Sequence, residues 1–224
     1  MLTNVSAGRG PFSSEHLRKS VRAGLQGRGG TILYSLSLEN RHTGETLRIR
    51  RERDVSGQVI LIIEGSLPPG SNGPPPHIHF QQREEGGVQA GTLGARIGEQ
   101  TLVVQTAGNA AFPAGVVHSW WNAGETLLEF SGRVVPAVDL DQFLQALFAV
   151  LNASATNRPS IFYLAHLLWR HRRTQRVVTP PVAIQRILFP VVLLIGHVLG
   201  KYKGQAWPGC PETDRKSTRL NSSH

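Results

Sequence analysis

The sequence predicts an all-β domain, an antiparallel sandwich or barrel of short strands, followed by a set of C-terminal α-helices. Three observations lead there. Glycine and proline are both abundant, 24 and 14 in 224 residues, which favours a turn-rich β architecture over a helical one. Between Gly57 and Val135, short alternating or β-branched stretches recur between glycine-bearing turns at spacings of roughly ten residues. Beyond Pro136 the apolar period changes from that of a strand to that of a helix. Apolar residues make up 40% of the chain, enough for a packed core.

Taken in order, residues 1–30 are polar, glycine-containing and without period. They read as a flexible N-terminal arm and lack the apolar run of a secretory signal. Thr31 to Leu38 and Glu45 to Arg51 read as strands around a turn at Asn40 to Gly44. Gln58 to Glu64 carries the strongest strand signal, and its continuous apolar run predicts burial on both faces. Leu67 to Pro76 is proline-rich. No helix crosses it, so it reads as a stiff, extended lead-in. Further strands are expected at His77 to Gln81, Val88 to Ala90, Gly94 to Ile97, Thr101 to Gln105, Val117 to Trp120 and Thr126 to Val135.

The barrel is therefore expected over 31–135 and a helical extension over 136–213. Asp139 is the expected cap of a first helix, whose stripe of Leu140, Phe143, Leu144, Leu147, Phe148 and Leu151 calls for a hydrophobic surface; the outside of the barrel is the expected one. A second helix is expected from Pro159 to about Arg173, and a third from about Val182 to Leu199, interrupted or kinked at Pro190. Ile187 to Leu199 is apolar but too short to span a bilayer, which takes about twenty residues. Residues 214–224, DRKSTRLNSSH, back-translate into a string resembling a widely used sequencing-library adapter. They are set aside as an artefact.

The formal charge of +9 is unevenly placed. From Gln142 to Cys210 there is no Asp or Glu, while Arg158, Arg170, Arg172, Arg173, Arg176, Arg186, Lys201 and Lys203 fall in that tract. It is either a solvated face or a surface for acidic lipid or nucleic acid. The single cysteine, Cys210, excludes an internal disulfide framework and fits a reducing, cytoplasmic location.

Two clusters carry potential chemistry. In His77-Ile78-His79, side chains two apart on a strand share a face, so both imidazoles can point at one ion. Glu84 can add a carboxylate from the next strand start, and His118, after the Pro113-Ala114-Gly115 turn, can return from a distant hairpin. Three imidazoles and one carboxylate suit a divalent Fe, Mn, Ni, Cu or Zn ion and leave positions open for a substrate. Taken separately, a His-x-His pair is more often two half-buried histidines with ordinary partners, and a Pro-x-Gly is more often just a turn. Phe80, Phe112 and Trp120 are candidates to line a ligand pocket, with Trp120 on the face of His118 and Trp121 on the opposite one.

Together these motifs resemble those of the cupin superfamily. The first family motif, His-x-His, three or four residues, Glu, six residues, Gly, is matched by His77, His79, Glu84 and Gly91. The second, Pro-x-Gly, two residues, His, three residues, Asn, is matched by Pro113, Gly115, His118 and Asn122. The leading glycine of the first motif is replaced by Ser71, and that of the second, Gly108, lies one residue closer than usual. The resemblance implies a small antiparallel jelly-roll β-barrel at 31–135. It also implies metal ligands at His77, His79, Glu84 and His118, and an Asn122 that steadies the following loop. The wider sequence is similar to small single-domain bacterial cupins. One departure is Glu85-Gly86-Gly87, where Gly86 replaces a bulky inward residue and Gln89 stands where a leucine is expected. It predicts a locally looser barrel, with either a wider pocket or a poorly held Glu84.

The functional expectation is a metal-binding protein, an oxygenase, isomerase or lyase acting on a small oxygen-bearing molecule. The alternatives are a non-catalytic binding or sensing module, and a peripheral protein docking on a membrane or acidic partner through its basic C-terminal helices. A small-molecule ligand and a homodimer are the expected partners. With no DNA-reading helix pair, specific nucleic-acid binding is not expected.

Overall fold

The computed structural model describes residues 30–156 and 158–203; the expected N-terminal arm at 1–29 and the adapter-like 214–224 lie outside them. Ten strands come first: β1 (Thr31–Glu39), β2 (Thr46–Arg53), β3 (Val59–Leu67), β4 (His77–His79), β5 (Arg83–Ala90), β6 (Thr92–Ile97), β7 (Gln100–Gln105), β8 (Asn109–Phe112), β9 (His118–Asn122) and β10 (Leu128–Val135). Then follow α1 (Leu140–Ala153), α2 (Ile161–Arg170), a short β11 (Gln175–Val177) and α3 (Val182–Val198). The strands form two antiparallel sheets, one ordered β1-β2-β3-β10-β5-β8 and the other β11-β4-β9-β6-β7.

The apolar run predicted at Gln58 to Glu64 is β3, the centre of the larger sheet's apolar half. Ile60, Leu61 and Ile62 are all buried, which accounts for its lack of alternation. Two strands carry little sequence signal. β8 is Asn-Ala-Ala-Phe, without a β-branched residue. β5 begins at Arg83, upstream of the expected Val88, and runs through Gly86 and Gly87 because β10 and β8 pair with it on either side. The third unforeseen strand, β11, comes from the C-terminal extension and pairs with β4, placing Gln175 opposite His79 and Val177 opposite His77.

Inward-facing residues of the larger sheet meet two different covers. At one end Leu67, Val88 and Leu128 pack against Leu93, Ala95 and Val104 of the smaller sheet. At the other, Leu47, Ile49, Leu61 and Val134 pack against Leu140 and Phe148 of α1. The helix stripe thus lies on the inner face of the sheet, where the second sheet does not reach, and not on the outside of the barrel as expected. A stripe that wide is better buried over the apolar inner ends of β2 and β3 than on a polar outer face.

α1 is pinned at its start. The Arg51 guanidinium donates to both carboxylate oxygens of Asp141 at 2.8 and 2.9 Å and to the Val138 carbonyl at 3.1 Å, and Tyr34 donates its hydroxyl to the same carboxylate. Asp141 is fully buried, and burial with that neighbouring carboxylate pushes the Tyr34 phenol up to about 12. Asp139 stands at the cap position but does not cap with its side chain. Its carboxylate instead accepts from His171 Nδ1 at 2.6 Å and Thr174 at 3.1 Å, tying α1 to the turn before β11. α2 ends at Arg170, three residues short of the expected Arg173, and α3 runs through Pro190 without ending there.

Candidate functional site

β4 and β9 lie side by side with His77 in register with His118, so the two motif strands meet directly. The turn at 113–115 sets that register. Gly115 has φ +78°, a conformation that favours glycine, and its N–H donates to the His79 carbonyl at 2.7 Å. Asn122 closes the other end of β9: its amide donates to the Leu67 and Thr126 carbonyls at 2.9 and 2.8 Å and accepts from Gly124 N–H at 2.9 Å. That loop-steadying role is the one its motif position implied.

The three imidazoles converge. One ligand nitrogen from each of His77, His79 and His118 can be chosen so that all lie within 4.8 Å of one another. The Nδ1 atoms of His77 and His118 lie 2.9 and 3.0 Å from the Pro75 and Val116 carbonyls; as carbonyls only accept, both Nδ1 carry the proton and both Nε2 present a lone pair. His118 Nε2 is buried without a hydrogen-bond partner, and His77 Nε2 lies 3.1 Å from His79 Nε2. Glu84 enters from β5, its two oxygens 3.1 Å from His79 Nε2 and 3.9 Å from His118 Nε2. His79 and His118 are 2% and 1% exposed.

The electrostatics suit a cation. Burial, then the proximity of His118, holds His77 well below its ordinary value, at about 4, so its imidazole is neutral at neutral pH. Burial likewise lowers His118. Burial alone would raise Glu84, but the hydrogen bond from His79 and the three imidazoles outweigh it and hold the carboxyl at about 2. The Nε2 lone pairs of His77 and His118, beside the His79 ring and an ionised carboxylate, form a donor set that could hold a divalent metal ion.

The site opens into a cavity of about 540 Å³. Phe112 and Trp120 line it, and the Phe112 ring lies 5.0 Å from that of His118. Phe80 is not among the lining residues; it is 36% exposed, with the Arg176 guanidinium 5.2 Å from its ring centroid. Trp121 points the other way, over Gly94 of β6. The Gly86 feature has a structural counterpart, since Gly86 pairs with Gly132 of β10 and both line the cavity. Two adjacent glycines leave a trough in the inner face beside Glu84. Gln89 faces away, donating to Ser131 at 2.8 Å, and Val88 fills the inward position.

Sequence reasoning missed the helical wall and Gln175. Phe143, Leu144, Leu147 and Leu151 of α1 and Leu164 and Leu168 of α2 line the same cavity, as does Gln175 of β11. The periodicity of α1 was a readable signal of a buried face, but nothing in the sequence said which surface it would cover.

The profile of the family described as Cupin domain matches residues 56–134. Solved structures similar to the chain include TT1209 from Thermus thermophilus (22% identity, 35% of this chain and 73% of that one, TM-score 0.33). KdgF from Halomonas sp. is another (15%, 43% and 84%, TM-score 0.37). A sugar phosphate isomerase of a cupin superfamily from Silicibacter pomeroyi is a third (21%, 49% and 72%, TM-score 0.35). No curated protein sequence matches the chain. The profile match falls on β3 through β10, the strands that carry both histidine motifs, and marks residues 56–134 as a cupin domain.

Proposed function

We propose that the chain is a metal-dependent enzyme, an oxygenase, isomerase or lyase, acting on a small oxygen-bearing molecule. In this reading His77, His79, Glu84 and His118 hold one first-row divalent ion. The observation that carries the reading is the convergence of three imidazoles on a buried point where His118 Nε2 has no other partner. When bound, such an ion supplies Lewis acidity or a site for dioxygen chemistry. The chain's own part is to fix the imidazole orientations through the Pro75 and Val116 carbonyls, to keep Glu84 ionised, and to exclude bulk water with Phe112 and Trp120.

Elemental analysis of the purified protein tests it. About one Fe, Mn, Ni, Cu or Zn per chain is expected, falling below a tenth of that in His118→Ala. A metal-free protein that does not take up any of these ions overturns the reading. Full occupancy without turnover of any substrate in a broad panel supports a non-catalytic binding or sensing module instead.

A second reading is favoured by α3. Its buried residues, Gln185, Phe189, Val192 and Gly196, form one stripe against α2, while Ile184, Ile187, Val191, Leu194 and Val198 are exposed, Ile187 to 71% and Val198 to 75%. Exposed Arg186, Lys201 and Lys203 accompany this apolar stripe in a tract without acidic residues. Among the described residues no helix is long and apolar enough to cross a membrane. Apolar side chains with basic neighbours complement the interface of an anionic bilayer, and we infer peripheral docking there. Sedimentation with phosphatidylcholine vesicles, with and without phosphatidylglycerol, tests it. Binding is expected only to anionic vesicles at low salt, and to be lost in Ile187→Asp/Leu194→Asp. Equal partitioning of that variant, or no binding at low salt, overturns the inference.

A further inference from the structure

The composition and shape of the cavity point to a ligand class that the histidine cluster alone does not specify. One wall is the larger sheet's inner face, opened by the Gly86–Gly132 trough; the opposite wall is helical, with Phe143, Leu144, Leu147, Leu151, Leu164 and Leu168. His77, His79 and Glu84 line one end, and Glu45, before β2, lines the other. Their levels follow from strand register. Arg51, Leu61, Val134 and Glu84 form one row across the sheet, while Thr46 and Ser66 form another five residues along β2. At the usual strand rise the two ends are about 17 Å apart along the strands. Glu45 also reports on its surroundings, since burial raises its carboxyl to about 7.

Polar groups cluster at the histidine end. Gln175, 5% exposed, lines the cavity opposite His79, and its Nε2 is buried without a hydrogen-bond partner. A buried amide left unpaired is costly, and a ligand oxygen would satisfy it. A compact polar molecule such as a free sugar would meet leucine and phenylalanine along most of the cavity and would leave its own hydroxyls unpaired there.

We propose that the cavity takes an amphipathic carboxylate. Its carboxylate head lies at the histidine cluster and accepts from Gln175 Nε2, and its unbranched apolar body lies between the glycine trough and the leucines of α1 and α2. The head-group half of this assignment rests on the metal reading above; the apolar half does not. A volume of about 540 Å³ lies within the usual range for small-molecule pockets, about 300–1,000 Å³, and suits a medium chain.

The test is isothermal titration of the full chain with acetate, hexanoate, octanoate, decanoate and dodecanoate, with metal content measured on the same samples. Affinity is expected to rise about threefold to fourfold per methylene up to decanoate or dodecanoate, as burial of each group predicts. Leu147→Trp, which fills the cavity, should end that rise several carbons earlier, whereas Leu147→Ala should not. Gln175→Leu should weaken every carboxylate about tenfold while keeping the chain-length slope and the metal content. Thermal melts confirm that each variant is folded. Metal-loaded protein that binds acetate as tightly as decanoate, or binds none of the series, overturns the ligand class and leaves the metal reading standing. In protein that takes up no metal, a preserved chain-length slope supports the apolar half alone, and the metal reading then fails on its own test. A Gln175→Leu protein of unchanged affinity removes the head-group contact.

Discussion

The two halves of the larger sheet's inner face have similar apolar residues but different covers. Where strands of the smaller sheet lie on it, Leu128, Leu67 and the Ala95 packed in the same cluster are completely buried. Where α1 lies on it, the helix touches the outer strands through Leu140 and Phe148, but Phe143, Leu144 and Leu147 are only partly buried over the cavity. A sheet follows the twist of another sheet closely, whereas a straight helix crossing a twisted sheet fits it only along part of its length. The metal-ligand candidates sit on the boundary between the two, where a rigid wall of strands faces an open volume.

Breaking the anchor of the helical half should have the largest effect. Asp141→Asn leaves the Arg51 guanidinium facing a neutral amide within a buried pair, and a loss of about 3–5 kcal/mol in urea unfolding is expected. Truncation probes the two covers directly. Leu128→Ala, on the strand-covered side, should cost about 3 kcal/mol, while Leu144→Ala, already facing open volume, should cost less than about 1 kcal/mol. Equal costs would show that the helical half closes as tightly as the other.

A smaller effect comes from Glu45 at the far end of the cavity. Its folded-state carboxyl titrates at about 7, above its ordinary value of 4.5, so the native state resists ionisation. Stability is therefore greatest below the unfolded value and falls as pH rises from about 4.5 through 7. Glu45→Gln should match the parent at pH 4 and exceed it above pH 8, by on the order of 2 kcal/mol after allowing for partial exposure, in thermal melts across pH. A further modest effect is expected at the strand-side turn. A side chain at Gly115 meets nothing within 4 Å, so Gly115→Ala should cost only the backbone strain of its positive φ, about 1–2 kcal/mol.

What the sequence made legible follows the range of the interactions involved. β3 announces itself in an unbroken apolar run, and the His-x-His pair and Pro-x-Gly turn declare their geometry locally because each depends on neighbours two to five residues away. Non-local pairing hides the rest. Glycines 86 and 87 read as a break until β10 is seen beside them, and Gln175-Arg176-Val177 is a strand only because β4 offers it an edge. Asp139 reads as a cap because its local context is that of one, but His171, on the far side of α2, takes its carboxylate. The helical wall of the cavity was visible as a stripe, and its direction was not.

The pairing of β11 with β4 has a consequence for how the protein is made. The histidines of β4 leave the ribosome before the strand that flanks them exists, and about 100 further residues, roughly 5–20 s of synthesis at usual rates, must follow. Until then β4 is bordered by β9 alone and offers its other edge, with unsatisfied backbone donors and acceptors, to any passing strand. A nascent chain stopped at Val135 would hold the complete set of histidines yet remain open to capture by its neighbours on the polysome.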